Sequence, residues 1–241
     1  MDKPTVRKYG SNGILMEWKP LISEDINKEV VQMAAFLEAT YSDVISEVVP
    51  SYNSLMVFLK HEENIQMYIE MWQYVVTSNY HDLSTTKNQI WQVPTCYDSS
   101  FGYDLNLISE TAQISIESII KLHSEGNYRI YGMGFLPGFL YLGGLNQRLH
   151  FPRKSTVKQF VPQGSVAIGG EQTGIYPLYS PGGWNVIGRT PINLFDPKKE
   201  DPTPFKVGDS IQFVPVSLEE FNEIQSSVNN GSYQPKSTCH D

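Results

Sequence analysis

Apolar side chains in the N-terminal part of the chain follow two different periods. Ile14 to Trp18 is a short apolar run of strand length. Ile26, Val30, Met33, Ala34 and Leu37 then recur at steps of three and four, which puts them on one face of a helix. Glu24 and Asp25 ahead of them suit the positive end of that helix dipole. Two β-rich runs follow, Val44 to Val49 and Leu55 to Leu59, with Pro50-Ser51-Tyr52-Asn53-Ser54 as turn chemistry between them. Ile65, Tyr68, Ile69, Trp72, Val75 and Val76 return to helical spacing, and Ile90 to Val93 is a last short strand before Pro94. The order β-α-β-β-α-β predicts a ferredoxin-like split unit over residues 1–93, with a helix pair on one face of a small sheet. The polar stretch Thr77 to Gln89 reads as a loop of that unit, and the domain boundary is placed near Pro94.

Past Pro94 the pattern changes. One helix is expected where Ile116, Ile119, Ile120 and His123 line one side. Beyond Tyr128 the helical period disappears, and β-prone runs (Tyr128–Tyr131, Val166–Ile168, Val186–Ile187, Ile211–Val214) alternate with Gly and Pro. Closely spaced strands punctuated in this way predict a β-barrel or sandwich over residues 94–225. The fold class is thus α+β. Residues 226–241 are polar and read as a disordered tail.

Composition narrows the function classes. Over 241 residues, 40% are hydrophobic and 18% charged, ordinary for a globular protein. Twenty-six acidic against 18 basic residues give a net charge of -8. With no basic run, the chain lacks what nucleic-acid phosphates or an anionic membrane require. Cys96 and Cys239 show no metal-type spacing, so no metal site is expected, and a reducing, cytoplasmic setting is the simple reading. The N-terminus has no signal-peptide core, and no segment reaches the length of a membrane span.

Three glycine-proline segments dominate the second half: Gly134 to Gly144, Gly164 to Pro177, and Ser180 to Pro191. Glycines allow close backbone approach, and prolines block strand pairing. Mixed with Phe135, Pro137, Phe139, Tyr141, Tyr176 and Trp184, they predict a surface that exposes aromatic faces and free N–H groups together, suited to a small amide or carboxylate ligand. The alternative is that these are tight barrel corners with core aromatics. Arg153 and Arg189 are each flanked by rigid residues. Either one grips a carboxylate or phosphate with two parallel bonds, or forms a structural salt bridge with Asp196 or Glu171. Gln172, in a Gly-rich turn, offers both donor and acceptor. His123 has the side chain of a general acid–base, or else complements a helix C-terminus. Walker A, G-x-G-x-x-G, H-E-x-x-H and G-x-S-x-G are all absent, and Ser155-Thr-Val-Lys158 lacks the companions a serine acyl-enzyme needs. A chain without a self-contained catalytic signature reads as a subunit or a regulator.

The same segments carry a resemblance. Gly134-Phe-Leu-Pro-Gly-Phe-Leu-Tyr-Leu142, Pro152-Arg153, Val161-Pro-Gln-Gly-Ser-Val-Ala-Ile168, Gln172-Thr-Gly-Ile-Tyr-Pro177, Ser180-Pro-Gly-Gly-Trp184, Ile187-Gly-Arg-Thr-Pro191 and Leu194-Phe-Asp196 form the main set. Upstream, Val49 to Leu55, Pro94 to Tyr97 and Asp104-Leu105 join it. Together they resemble the family variously called KipI, allophanate hydrolase subunit 1 or the B-type subunit of the prokaryotic ATP-dependent 5-oxoprolinase, which shares its carboxyltransferase domain C/D with urea carboxylase. Val157-Lys158 and Tyr131-Gly-Met-Gly134 depart from the usual family residues.

The resemblance implies a cyclophilin-like β-barrel after a small α/β domain. It also implies the ATP-driven opening of 5-oxoproline to L-glutamate, shared with a complementary KipA-type protein and a third, lactam-handling subunit. ATP with Mg2+ is then a cofactor of the complex. On this reading His123 and Arg189 are the candidate catalytic residues, and Phe135, Pro137, Phe139, Tyr141, Arg153, Gln172, Tyr176 and Trp184 form the substrate surface. The alternative the family suggests is an inhibitor of sensor histidine kinase autophosphorylation.

Overall fold

The computed structural model describes residues 3–62, 64–76 and 88–239. The chain divides into two compact units, residues 1–87 and 88–241. The loop expected from Thr77 to Gln89 lies almost wholly outside the described residues.

The first unit runs β1 (Thr5–Tyr9), β2 (Gly13–Glu17), α1 (Glu24–Thr40), β3 (Ile45–Ser51), β4 (Ser54–Leu59), α2 (Ile65–Val75). Its strands form one antiparallel sheet in the order β1-β2-β4-β3. Alternate residues Ile14, Met16, Leu55, Val57 and Leu59 face one side, where the buried stripe of α1 and Trp72 of α2 complete a single core. The β3–β4 turn is tighter than expected: Pro50 and Ser51 stay in the strand, and Tyr52-Asn53 alone make the bend.

This ββαββα order corrects the ferredoxin-like reading. The extra strand β1 is an edge strand whose side chains are exposed except half-buried Val6, so no apolar run announces it. The strand read as the last of this unit belongs to the second one.

That second unit comprises β5 (Gln89–Thr95), α3 (Leu105–Ala112), α4 (Ile116–Ser124), β6 (Tyr128–Met133), β7 (Leu140–Gly143), β8 (Lys158–Val161), β9 (Ser165–Gly169), β10 (Gln172–Ile175), β11 (Ser180–Gly182), β12 (Asn185–Arg189), β13 (Ser210–Pro215), α5 (Leu218–Asn229) and β14 (Lys236–Cys239). Eight strands pair in the order β12-β9-β10-β7-β6-β13-β5-β14. One end of that row meets the strand next to the other end: Arg189 of β12 and Cys96, just after β5, exchange backbone hydrogen bonds of 2.8 and 2.9 Å. The sheet therefore curls closed around Tyr128, Ile130, Leu142, Ile168, Ile187 and Phe213. β8 and β11 pair only with each other, as a separate ribbon.

Two boundaries move as a result. β5 pairs with β13 in parallel and with β14, so the second unit starts at residue 88 and the expected cut near Pro94 falls inside a barrel strand. The expected disordered tail is instead the end of α5 followed by β14, whose four exposed residues pair with β5. No helix among the described residues is long and apolar enough to cross a membrane.

Candidate active-site pocket

The turn between β6 and β7 is built to present a ring. Phe135 has φ +67°, a left-handed backbone that a bulky side chain rarely adopts, and its ring is 67% exposed. Gly138, at φ +81°, makes the turn possible, since a Cβ there would lie 2.5 Å from that of Phe195. Phe139 follows and is buried. It meets Phe135, Tyr141, Tyr176 and Trp184 edge-on, with centroids 4.9 to 5.9 Å away. Gly182 is fitted against the Tyr176 hydroxyl, and Gly169 leaves room for the Trp184 ring. These rings bound a pocket of about 220 Å³.

Cations close its other side. The Lys154 N–H donates to Gly183 O at 2.7 Å, and Asn185 Nδ2 donates to Pro152 O at 2.9 Å, so residues 152–154 are tied to the start of β12. From that anchored segment the Arg153 guanidinium lies 5.4 Å from the centroid of Trp184. Lys154 Nζ reaches the Asp104 carboxylate at 2.6 Å, largely shielded from solvent. Oδ2 of Asp104 also accepts the Val186 N–H at 2.7 Å, which fixes the carboxylate and through it the lysine. Burial pushes the Tyr176 hydroxyl up, a rise that the nearby backbone N–H of Trp184 and the charge of Arg153 oppose.

The site residues expected from the sequence separate into two groups. Phe135, Phe139, Tyr141, Arg153, Tyr176 and Trp184 line this one pocket. Pro137 is exposed on the turn, and Gln172 opens β10; neither lines it. Arg189 lies elsewhere on the barrel, its Nε donating to Gln163 O at 2.8 Å and its guanidinium 5.6 Å from the centroid of Phe101.

His123 overturns the acid–base expectation. It is fully buried on the core side of α4, between the Tyr97 hydroxyl at 2.7 Å and Thr173 Oγ1 at 2.9 Å. Burial lowers its pKa to about 3, so it stays neutral and out of reach of any substrate.

Residues 4–205 match the family described as carboxyltransferase domain, subdomain C and D. The chain belongs to that family. Among its relatives, the 5-oxoprolinase B-type subunit of Bacillus subtilis is 33% identical, covering 93% of this chain and 98% of its own length. That of Haemophilus influenzae is 38% identical over 78% and 88%. The conserved uncharacterized protein PH0987 from Pyrococcus horikoshii superposes with a TM-score of 0.54 at 35% identity, over 90% of this chain and 99% of its own. The Kluyveromyces lactis urea amidolyase shares the fold, with a TM-score of 0.76 at 18% identity, but this chain spans only 16% of that protein. TTHA0988 is likewise larger: at a TM-score of 0.73 and 29% identity, this chain covers 40% of it.

In this carboxyltransferase C/D chain the sequence reading assigned no site role to Lys154 or Tyr103, and marked Asp104 only as part of the family resemblance. Lys154 was legible as the neighbour of Arg153 on a rigid segment, but Asp104 is 50 residues upstream and no local signal joins the two. Tyr103 packs against the pocket's aromatic cluster, with Lys158 Nζ 3.5 Å from its ring centroid. Its hydroxyl is buried without a hydrogen-bond partner among the described residues, and burial, reinforced by the negative charge of Asp104, pushes its pKa up to about 12.

Proposed function

We propose that this chain is the B-type subunit of a multi-subunit, ATP-dependent 5-oxoprolinase and that the pocket at Phe139 and Trp184 receives the 5-oxoproline ring. The observation that carries this reading is the meeting of a five-ring aromatic wall with Arg153 and the Asp104-anchored Lys154 in one small pocket. 5-Oxoproline is a compact ring bearing one carboxylate. The rings suit its apolar faces, the two cations suit its carboxylate, and the Tyr176 hydroxyl suits its lactam oxygen. The relatives named as B-type subunits of 5-oxoprolinase, matched over nearly their full length, support the same assignment.

A lactam resists water because its nitrogen lone pair is delocalised into the carbonyl. Transfer of a phosphoryl group from ATP to the carbonyl oxygen removes that protection. Water then adds to the carbon, the C–N bond breaks as the nitrogen takes up a proton, and a second water cleaves the resulting acyl phosphate. Phosphate, ADP and glutamate leave, with two waters consumed overall. The residues of this chain bind and orient the ring in that scheme, and its pocket cations offset negative charge on the substrate. ATP with Mg2+ is proposed as a cofactor at the level of the assembled complex. Arg189, bonded to Gln163, keeps no part in the reading. The kinase-inhibitor alternative would use the same exposed aromatic surface to grip a proline-containing segment.

The test is glutamate release from 5-oxoproline with ATP and the companion subunits, with and without this chain. Turnover is expected to require it, and Arg153→Ala should raise KM for 5-oxoproline by roughly tenfold or more, the value of a charge-assisted hydrogen bond. Equal turnover without the chain refutes the subunit reading and makes kinase autophosphorylation the next assay.

A further inference from the structure

The pocket is half built. Phe135 and Val157 line it yet are 67% and 57% exposed, so a small ligand seated there keeps water on one side. Dehydration strengthens the very charge contacts that Arg153 and Lys154 offer, and this chain alone does not supply it. Next to that open side stands the β8–β11 ribbon. Its outward face is apolar where a solvated ribbon would be polar: Phe160 is 73% exposed, and Tyr179 and Leu178, which lead into β11, are also exposed. Cations accompany these rings. Lys158 rests on the Tyr103 ring and Arg153 on the Trp184 ring, and among the described residues neither has a carboxylate partner. A basic, aromatic patch stands out on a chain whose net charge is -8.

We propose that the β8–β11 ribbon is the docking face for a companion subunit of the same complex, which closes the pocket as it binds. Charge complementarity sets its chemistry. The companion presents an apolar centre against Phe160 and Tyr179, flanked by an Asp or Glu side chain that meets Lys158, while Arg153 stays with the substrate. Exposed aromatic anchors such as Phe160 and Tyr179 are among the side chains that dominate binding energy at protein interfaces. Lys158 is pre-positioned by its seat on Tyr103, so little of its freedom remains to be lost on binding. The inference rests on the subunit reading above and extends it from the ligand to the partner.

The experiment measures assembly of the full chain with the purified companion 5-oxoprolinase subunits by sedimentation and by titration at low and high salt. Phe160→Asp and Lys158→Glu are compared with wild type and with Tyr9→Asp, an exposed aromatic of the first unit, as control. All of them are exposed changes, and an unchanged melting curve verifies folding. Both ribbon variants are expected to weaken assembly about thirtyfold or more, the loss typical of an interface anchor, while Tyr9→Asp has no effect. Wild-type affinity should also fall with salt. If wild type assembles and the ribbon variants assemble equally well, the docking face is wrong and the subunit reading survives. If wild type does not associate with the companions at all, both fall. If the ribbon variants only convert a dimer of this chain to monomer, the face joins copies of the chain and the proposal is overturned.

Discussion

The protonation state of His123 follows from its neighbours. Thr173 Oγ1 donates its one proton to Ala167 O at 3.1 Å, so at its 2.9 Å contact with His123 it accepts. The ring proton therefore sits on Nε2, and Nδ1 accepts from the Tyr97 hydroxyl. Every polar atom of the ring is satisfied in the neutral form, and a second proton has no acceptor. The stability consequence has a definite sign. The folded pKa, about 3, lies below the ordinary 6.5, so below pH 6.5 the unfolded chain binds a proton that the native chain refuses. Stability contributed by this residue is complete above about pH 6.5 and falls by roughly 1.4 kcal/mol per pH unit from there toward pH 3. In denaturant titrations between pH 4 and 8, His123→Gln should show a shallower acid decline than wild type; parallel curves would contradict the assignment. The spacing of Ile116, Ile119 and His123 already put this residue on the buried side of α4. What the sequence could not convey is that Tyr97 and Thr173, 26 and 50 residues away, close around it.

Elements were legible where an apolar stripe faces a core and illegible where pairing alone defines them. The buried stripe of α1 is the set its spacing predicts, with Asn27 added, because packing and periodicity coincide there. β1 and β14 carry almost no buried side chains, so their backbone hydrogen bonds make them strands without a pattern to betray it. β5 was seen but given to the wrong unit, because its nearest neighbours in sequence are not its partners in space. A single carboxylate holds it to the right ones. Asp209, buried just before β13, accepts from the Gln89 N–H at 2.9 Å, from Trp91 Nε1 at 2.9 Å and from the Lys206 N–H at 3.2 Å. Asp209→Ala strands two donors of β5 and is expected to cost about 2–4 kcal/mol in urea unfolding. A loss under about 0.5 kcal/mol would show that the strand pairing suffices alone.

At the scale of the molecule, the division at residue 88 has a direct consequence. Each unit has its own closed core, so a fragment spanning residues 88–241 is expected to fold and to melt cooperatively. A fragment spanning 94–241 lacks most of β5 and with it the partner of both β13 and β14. It should lose near-UV circular dichroism and the sharp transition; a cooperative melt from that shorter piece would disprove the role given to β5. The pocket was partly readable at this scale. Its rings come from three glycine-proline segments that the sequence marks out, whereas the cation that faces them is held by a carboxylate from another part of the chain, a relation that only folding creates.

Closing the barrel through β5 also sets a timetable. Trp91 and the Asp209 that accepts its hydrogen bond are 118 residues apart, and the strand is joined on both sides by segments that come after residue 209. At rates of synthesis of roughly 5–20 residues per second, β5 leaves the ribosome on the order of ten seconds before its partners exist. The first unit is complete by then and able to fold on the nascent chain, while Val93 and its neighbours wait with an unpaired edge. The interval between those two events is when this protein is most open to misassociation, and a chaperone that shields the nascent chain would act there.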